Sequence, residues 1–300
     1  MPEPNPGAST ATHRAALAFQ AALLVAVALA GPPACAQAAA RAPRLLVVCA
    51  PGYPGSTLEA QPAMDGLAAA ITTAAGWKPG ELAGIYFENE AAGVARLAAP
   101  EATLALVPLN FWLEHGERLR LQPQLQAIPQ GGEAAEAWSL VAQKGAVTSP
   151  ASLAAFELLS LAGNTPRFVR GPALGAWGPL PPELKIVFSG AVLSGLRRAA
   201  AGEKVVLLLD RAQAAAMATL PAAPQLEIVA RSPPLPVSVL CTIADRLPAS
   251  RLHQLVERIP SLGDTPVGVE ALAGVRLARF VPVDAQALER ARTAYARVSN

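Results

Sequence analysis

The stretch RLLVVC at residues 44–49, followed by the turn cluster PGYPG at residues 51–55, decides the fold of this chain. Its continuous apolar run is typical of a strand that is buried on both faces of a sheet, and the prolines and glycines end that strand. The next segment, residues 56–77, repeats apolar side chains with the spacing of one helical face. This unit of strand, loop and helix predicts a parallel sheet covered by helices.

The alternation of strands and helices continues along the chain. Further elements are predicted, in order, at 82–87 (strand), 90–98 (helix), 103–107 (strand) and 137–143 (strand). Residues 119–136 are polar and loop-like, so we interpret 137–143 as the first crossing into a second lobe and 237–243 as the strand of return. The pattern predicts an α/β protein with a mostly parallel sheet in each lobe. An amphipathic C-terminal helix, 284–298, is predicted to pack back on the first lobe.

The amino terminus has the three-part order of a secretory signal peptide, predicted at residues 1–36. An uncharged apolar run at 15–31 is preceded by His13 and Arg14 and followed by two prolines and the triplet ACA. The run is too short to span a bilayer comfortably, which favours cleavage and export to the periplasm. The alternative is a lipoprotein that is acylated at Cys35.

Composition excludes one class of function and leaves the cysteines open. The net charge of +2 comes from interspersed signs, so binding to nucleic acid is not expected. If the leader is removed behind residue 36, Cys49 and Cys241 remain in an oxidising compartment. They either form a disulfide or pack as buried free thiols, since both lie in apolar segments that read as strands.

Four stretches carry a resemblance to a known family, namely LLVVCAPGYPGSTLEAQPAMDGLAAAI (45–71), TLALVPLNFWLE (103–114), SLVAQKGAVTSPASLAAF (139–156) and ARSPPLPVSVLCTIADRLPASRLHQLVERI (230–259). In this order they resemble the periplasmic solute-binding proteins of phosphate, phosphite and phosphonate ABC transporters. The resemblance implies a two-lobe type II periplasmic-binding-protein fold with two crossover segments. Lobe 1 would comprise 43–132 plus 235–300, and lobe 2 would comprise 137–230. It also implies a monomer that captures a small, oxyanion-like ligand for an ABC permease of the inner membrane.

Ligands of open α/β sheets bind beyond the carboxyl ends of the parallel strands. That rule selects the candidate ligand-binding residues Tyr53, Ser56, Thr57, Asn110, Asn164, Thr165, Ser189 and Asp210. Hydroxyls and free amides at helix starts suit an oxyanion, because unpaired donors converge there. Most candidates also have a structural interpretation: Ser56, Thr57 and Asp210 as helix caps, Asn164 and Thr165 as a turn and cap, and Tyr53 as packing in its turn.

Two features weaken the case for a phosphate-type ligand, and several motifs of enzymes are missing. Pro166 removes an amide donor beside Thr165. The family that this chain resembles carries an acidic residue in its third strand, and here Thr103–Ala105 stands in that place. His115 and His253 read as surface or helix-flank side chains, and the sequence has no H-E-x-x-H, C-x-x-C, P-loop or Rossmann motif. We therefore expect no catalytic residues, metal or cofactor. The alternatives are a ligand-free accessory protein of the same fold and, less favoured, a secreted hydrolase.

Overall fold

The computed structural model describes residues 42–52 and 55–298. The predicted signal peptide and Tyr53 therefore lie outside the described residues. Within them, no helix is both long and apolar enough to cross a membrane.

The described strands are β1 (Arg44–Cys49), β2 (Leu82–Phe87), β3 (Ala102–Pro108), β4 (Leu121–Pro129), β5 (Ala135–Glu136), β6 (Ser139–Gln143), β7 (Glu157–Ser160), β8 (Lys185–Phe188), β9 (Val205–Leu209), β10 (Leu226–Arg231), β11 (Leu235–Pro236), β12 (Ser238–Ile243) and β13 (Leu277–Pro282). The described α-helices are α1 (Thr57–Ala74), α2 (Glu90–Ala98), α3 (Leu109–His115), α4 (Pro166–Phe168), α5 (Val192–Ala200), α6 (Arg211–Met217), α7 (Ala249–Arg258), α8 (Pro266–Gly274) and α9 (Ala285–Ala296). A π-helical turn, Val169–Ala173, follows α4 directly.

The strands form two main sheets, which confirms the α/β fold class. The first has the order β13-β4-β12-β3-β1-β2 and the second the order β10-β6-β9-β7-β8. Parallel pairing joins β1 to β2 and β3, and β7 to β8 and β9. The crossing strands β6 and β12 lie antiparallel to their neighbours, so both sheets are mixed, with the parallel strands together at one side of each.

The crossing segments pair with each other between the two sheets. Strand β5 lies antiparallel to β11, with Glu136 opposite Leu235. Just beyond this pairing, the Trp138 amide donates to Ser232 Oγ at 2.9 Å, and the Ser232 amide donates to the Trp138 carbonyl oxygen at 2.9 Å. The two crossover segments therefore form one short ribbon. The lobe boundaries inferred from the sequence stay a prediction.

Strand β4 corrects the prediction that residues 119–136 form a polar loop. It lies between β12 and β13, so it is an inner strand of the first sheet. Its polar side chain Gln126 is 2% exposed. The Gln126 amide nitrogen donates to the Ala134 carbonyl oxygen at 2.8 Å, and its amide oxygen accepts from the Asp284 amide at 2.7 Å. Distant residues thus satisfy a buried polar group that local sequence assigns to solvent.

Helix α9 was expected to pack back on the first lobe, and its Tyr295 hydroxyl does donate to Glu114 Oε2 in α3. The helix also packs on the π-helical turn Val169–Ala173. That turn lies in the chain between β7 and β8 of the second sheet. A Cβ on Gly171 would lie 2.5 Å from the Ala294 carbonyl oxygen. The Arg167 guanidinium lies 4.2 Å from the centre of the Tyr295 ring, and its Nε donates to the Val298 carbonyl oxygen at 3.2 Å. The C-terminal helix therefore links the two parts of the molecule.

Apolar packing also runs from one sheet to the other. One cluster of buried side chains includes Leu109 and Phe111 of α3 together with Phe168 and Val169. Both Cys49 and Cys241 are buried and free, as the second interpretation of these residues proposed. Burial raises the pKa of the Cys49 thiol to about 12, which keeps it protonated.

The close approach of α9 yields a stability prediction. Gly171→Ala is expected to lower the free energy of unfolding by about 1 to 3 kcal/mol, because a methyl group would meet backbone there. The control is Gly66→Ala, at an exposed position inside α1 with open space around the added Cβ. That substitution is expected to stabilise the protein by about 0.5 to 1 kcal/mol. Urea unfolding measures both, and an unchanged stability of Gly171→Ala would contradict the close packing.

Candidate functional site

A cavity lies where the first sheet, the crossing ribbon and the second sheet meet. It has a volume of about 30 Å³, enough for a water-sized group. Its lining residues come from the loop after β1, the β3–α3 junction, both crossing segments, the residue after β7 and the end of α4. They are Pro51, Pro108, Leu109, Asn110, Glu136, Trp138, Leu161, Phe168, Pro236 and Val237. Both halves of the fold thus contribute to one small inter-lobe site.

Direct contacts close the cleft beside this cavity. A Cβ on Gly52, in the loop after β1, would lie 2.6 Å from Leu161 Cδ2 and 2.9 Å from the Phe188 ring. The Asn110 side-chain amide donates to Thr165 Oγ1 at 3.4 Å. The Asn164 side-chain amide donates to Glu90 Oε2. The two lobes therefore touch through side chains and backbone, which is the geometry of a closed binding cleft.

Glu90 is the polar centre of this closure, and sequence reasoning missed it. It is the first residue of α2, and its Oε1 lies 2.5 Å from Nε2 of His115, at the end of α3. The His115 ring packs edge-on against Phe111 with 4.7 Å between ring centres. Only 15% of the His115 side chain is exposed, so of its two interpretations the structure fits the helix-flank one and not the surface one. The carboxylate thus joins a first-lobe histidine to a second-lobe asparagine.

The structure brings Asn110, Asn164 and Thr165 together across the cleft, as the strand-end rule predicts. Thr165 is 1% exposed, and Asn164 Oδ1 is buried without a hydrogen-bond partner. Their ligand-binding role stays a prediction, but their position at the lobe interface fits it.

The side chains of the remaining described candidates form hydrogen bonds to residues outside the Asn110–Thr165 contact. Ser56 forms a capping box with Glu59, and Asp210 forms one with Gln213. The Thr57 hydroxyl donates to Glu88 Oε2 at 3.1 Å, and Ser189 Oγ accepts from the Ala191 amide at 3.2 Å. The Ser56 and Asp210 contacts are the cap interpretation of these residues, whereas Thr57 does not cap α1 and bonds instead to the loop after β2. Tyr53 lies outside the described residues.

Glu136 is the second functional candidate that the sequence did not reveal. Among the described residues that line the cavity, it is the only ionisable one. Burial, and then the charge of Asp210, raise the pKa of Glu136 to about 7. The Arg211 amide donates to Glu136 Oε2 at 3.3 Å, which partly offsets that rise. Burial also raises the pKa of Asp210. No local pattern marks Glu136, since only the fold places it at the cavity.

Two aromatic residues line the same cavity as Glu136. Trp138 and Phe168 meet edge to face, with 5.4 Å between ring centres and an angle of 73°. Phe168 is 1% exposed. Among the residues that the structure describes, no group of three or more histidine, cysteine or acidic side chains is arranged to hold a metal ion. The site is therefore an apolar pocket with one carboxyl group.

No protein-family model matches the sequence, and no curated protein matches it. Solved structures do. XAC2383 from Xanthomonas citri, bound to ATP, superposes with a TM-score of 0.65 at 14% identity, over 85% of this chain and 98% of that one. A binding-protein component of a phosphonate ABC transporter from Pseudomonas aeruginosa gives a TM-score of 0.58 at 15% identity, over 82% of this chain and 83% of that one.

PhnD1 from Prochlorococcus marinus, in complex with methylphosphonate, gives a TM-score of 0.57 at 14% identity, over 85% of this chain and all of that one (100%). At these identities the likeness shows the fold. The resemblance inferred from the sequence is confirmed at that level: this chain has the two-lobe fold of periplasmic binding proteins.

Proposed function

We propose that this protein is a solute-binding protein that captures a small ligand between its lobes and delivers it to an ABC permease of the inner membrane. We propose further that it is not an enzyme. The observation that carries the proposal is the cavity to which both lobes and the crossing ribbon contribute residues. The solved structures of similar fold support it, since two of them are described as a transporter's binding component and a methylphosphonate complex. Export through the signal peptide 1–36 and a monomeric state belong to the same proposal.

Capture by closure follows from the inter-lobe contacts. A ligand that fills the cavity touches both lobes only when they are closed, so it stabilises the closed arrangement by its differential affinity for that state. The contacts of Gly52 with Leu161 and of Asn164 with Glu90 form in the same movement. Opening separates these pairs and gives a solute access to the ribbon.

One observation favours the alternative of a ligand-free accessory protein. The cleft is already closed by the protein's own side chains, and the cavity of about 30 Å³ is small. Such a protein would keep its lobes together without a solute and present its surface to a partner.

A ligand screen separates these two functions. Thermal unfolding is measured with phosphate, methylphosphonate, sulfonates, carboxylates and small amines, each in large excess. A true ligand at a hundred times its dissociation constant is expected to add about 2.7 kcal/mol to the free energy of unfolding. If no compound shifts the transition, the ligand-free alternative replaces solute capture.

Gly52 supplies a test of closure. Its φ angle of +83° and the φ of +106° at Gly55 are both in the region that favours glycine, so Gly52→Leu and Gly55→Leu carry similar backbone strain. Only at Gly52 does the added side chain meet the opposite lobe. Gly52→Leu is expected to weaken binding of the screened ligand at least tenfold, which is about 1.4 kcal/mol. Gly55→Leu is expected to retain the parent affinity, and equal affinities for both variants in titration calorimetry would refute closure at this contact.

Glu136 makes the stability of the unliganded protein depend on pH. Because the folded-state pKa of Glu136 is raised to about 7, the folded protein holds this proton more tightly than the unfolded chain does. The resulting stabilisation is complete below the ordinary glutamate pKa and is lost as pH rises through 7. The free energy of unfolding of the parent is therefore expected to fall between pH 5 and pH 8 by roughly 1 to 3 kcal/mol more than that of Glu136→Gln. Glu133→Gln, whose parent side chain is 75% exposed, is the control and should follow the parent. Identical curves for all three proteins would show that Glu136 is not buried as described.

A further inference from the structure

The chemistry of the inter-lobe cavity points to the charge of the ligand. Apart from Glu136 and the amide of Asn110, its described lining consists of proline, aliphatic and aromatic side chains. No lysine or arginine is among these described lining residues. A ligand group enclosed here therefore meets one acidic side chain, two aromatic rings and no fixed positive side chain.

The groups around Glu136 do not reverse this charge. Asp210, the cap of α6, adds negative charge to the Glu136 environment. Arg211 donates its backbone amide to Glu136, and the charge of its guanidinium also lowers the pKa of Glu136. That side chain is 47% exposed, lies 3.9 Å from Glu133 and does not line the cavity. Across the crossing ribbon, β11 brings only Leu235 and Pro236. The described residues that line the cavity are thus acidic or neutral, and the nearest positive charge, on Arg211, lies outside the lining.

The donors that would suit an oxyanion are engaged elsewhere in the closed cleft. The Thr57 hydroxyl is directed to Glu88, and the Asn164 amide to Glu90. The amides at the starts of α1 and α6 include donors to the Ser56 and Asp210 caps. An oxyanion would lie against Glu136 with few free donors, which is unfavourable in an apolar site.

We propose that the protein captures a small organic cation, whose ammonium group binds the Glu136 carboxylate next to the Trp138 and Phe168 rings. The inference rests on the solute-binding function proposed above and specifies the ligand class. A carboxylate supplies the counter-charge, and aromatic rings attract a cation through their quadrupole. The cavity volume of about 30 Å³ suits a group of water-like size such as an ammonium.

The pH dependence of binding distinguishes a cation from an anion. A cation binds the ionised carboxylate, so its affinity rises as pH passes through the Glu136 pKa of about 7. From pH 6 to pH 8 the ionised fraction of such a group grows about tenfold, and cation affinity is expected to rise by the same factor. An anion would need the protonated carboxyl group as a hydrogen-bond donor, and its affinity would fall over the same range.

The experiment is titration calorimetry of the whole exported chain at pH 6 and pH 8. The cationic probes are tetramethylammonium, ethanolamine and putrescine, and the anionic probes are methylphosphonate and methanesulfonate, the latter keeping its charge across this range. At least one cation is expected to bind, about tenfold more tightly at pH 8 than at pH 6. Glu136→Gln should weaken that binding at least tenfold and remove the pH trend, whereas Glu133→Gln should preserve both.

The outcomes separate the two proposals. Binding of an anion that weakens from pH 6 to pH 8 leaves solute capture intact and overturns the cation. Cation binding that is unchanged in Glu136→Gln also overturns it, because the carboxyl group would then lie outside the site. If none of these charged probes binds but a neutral compound does, the ligand is uncharged and the cation proposal fails. If no compound binds at all, both proposals fail.

Discussion

The pairing of the two crossing segments is the constraint on which the rest of the structure depends. Strand β5 bonds to β11, and Trp138 and Ser232 exchange hydrogen bonds just beyond them. Because both passages of the chain between the sheets are bound into one ribbon, the lobes are coupled at a single place. The ribbon also carries Glu136 and Trp138, so the hinge of the fold and the chemistry of the cavity belong to the same few residues.

Closure combines apolar packing with a small number of polar contacts. Buried side chains of α3 and α4 share one cluster, which gives a non-directional attraction between the lobes. Glu90 adds direction, since its two oxygens are bound by His115 in its own lobe and Asn164 in the other. A partly buried carboxylate needs such partners, and opening exchanges the asparagine for water. The balance between open and closed states is therefore sensitive to a few groups.

The starts of α1 and α6 show why the rule that ligands bind beyond the ends of parallel strands predicts where polar residues lie more readily than what they bind. Ser56 and Asp210 lie at the carboxyl ends of strands, where side-chain oxygens and free amides meet. A helix N-terminus attracts any acceptor, and the acceptor closest in the chain is its own cap. In the closed protein those amides serve the caps. What distinguishes the cavity is the carboxyl group of Glu136, which contributes an acidic side chain where an oxyanion site would need donors.

The sequence by itself determined that both sheets contain parallel strands connected by helices. Strand β2 and helix α2 have the predicted bounds, because a buried strand and an amphipathic helix each leave a short-range period of apolar residues. It also placed Asn110, Asn164 and Thr165 at the lobe interface. Only the tertiary structure decided β4, the packing of α9 and the roles of Glu90 and Glu136. Gln126 is stable inside a sheet because Ala134 and Asp284 satisfy it, and Glu136 has an unusual pKa because Asp210, 74 residues later, lies near it. Such effects come from partners far apart in the chain, and a local pattern carries no record of them.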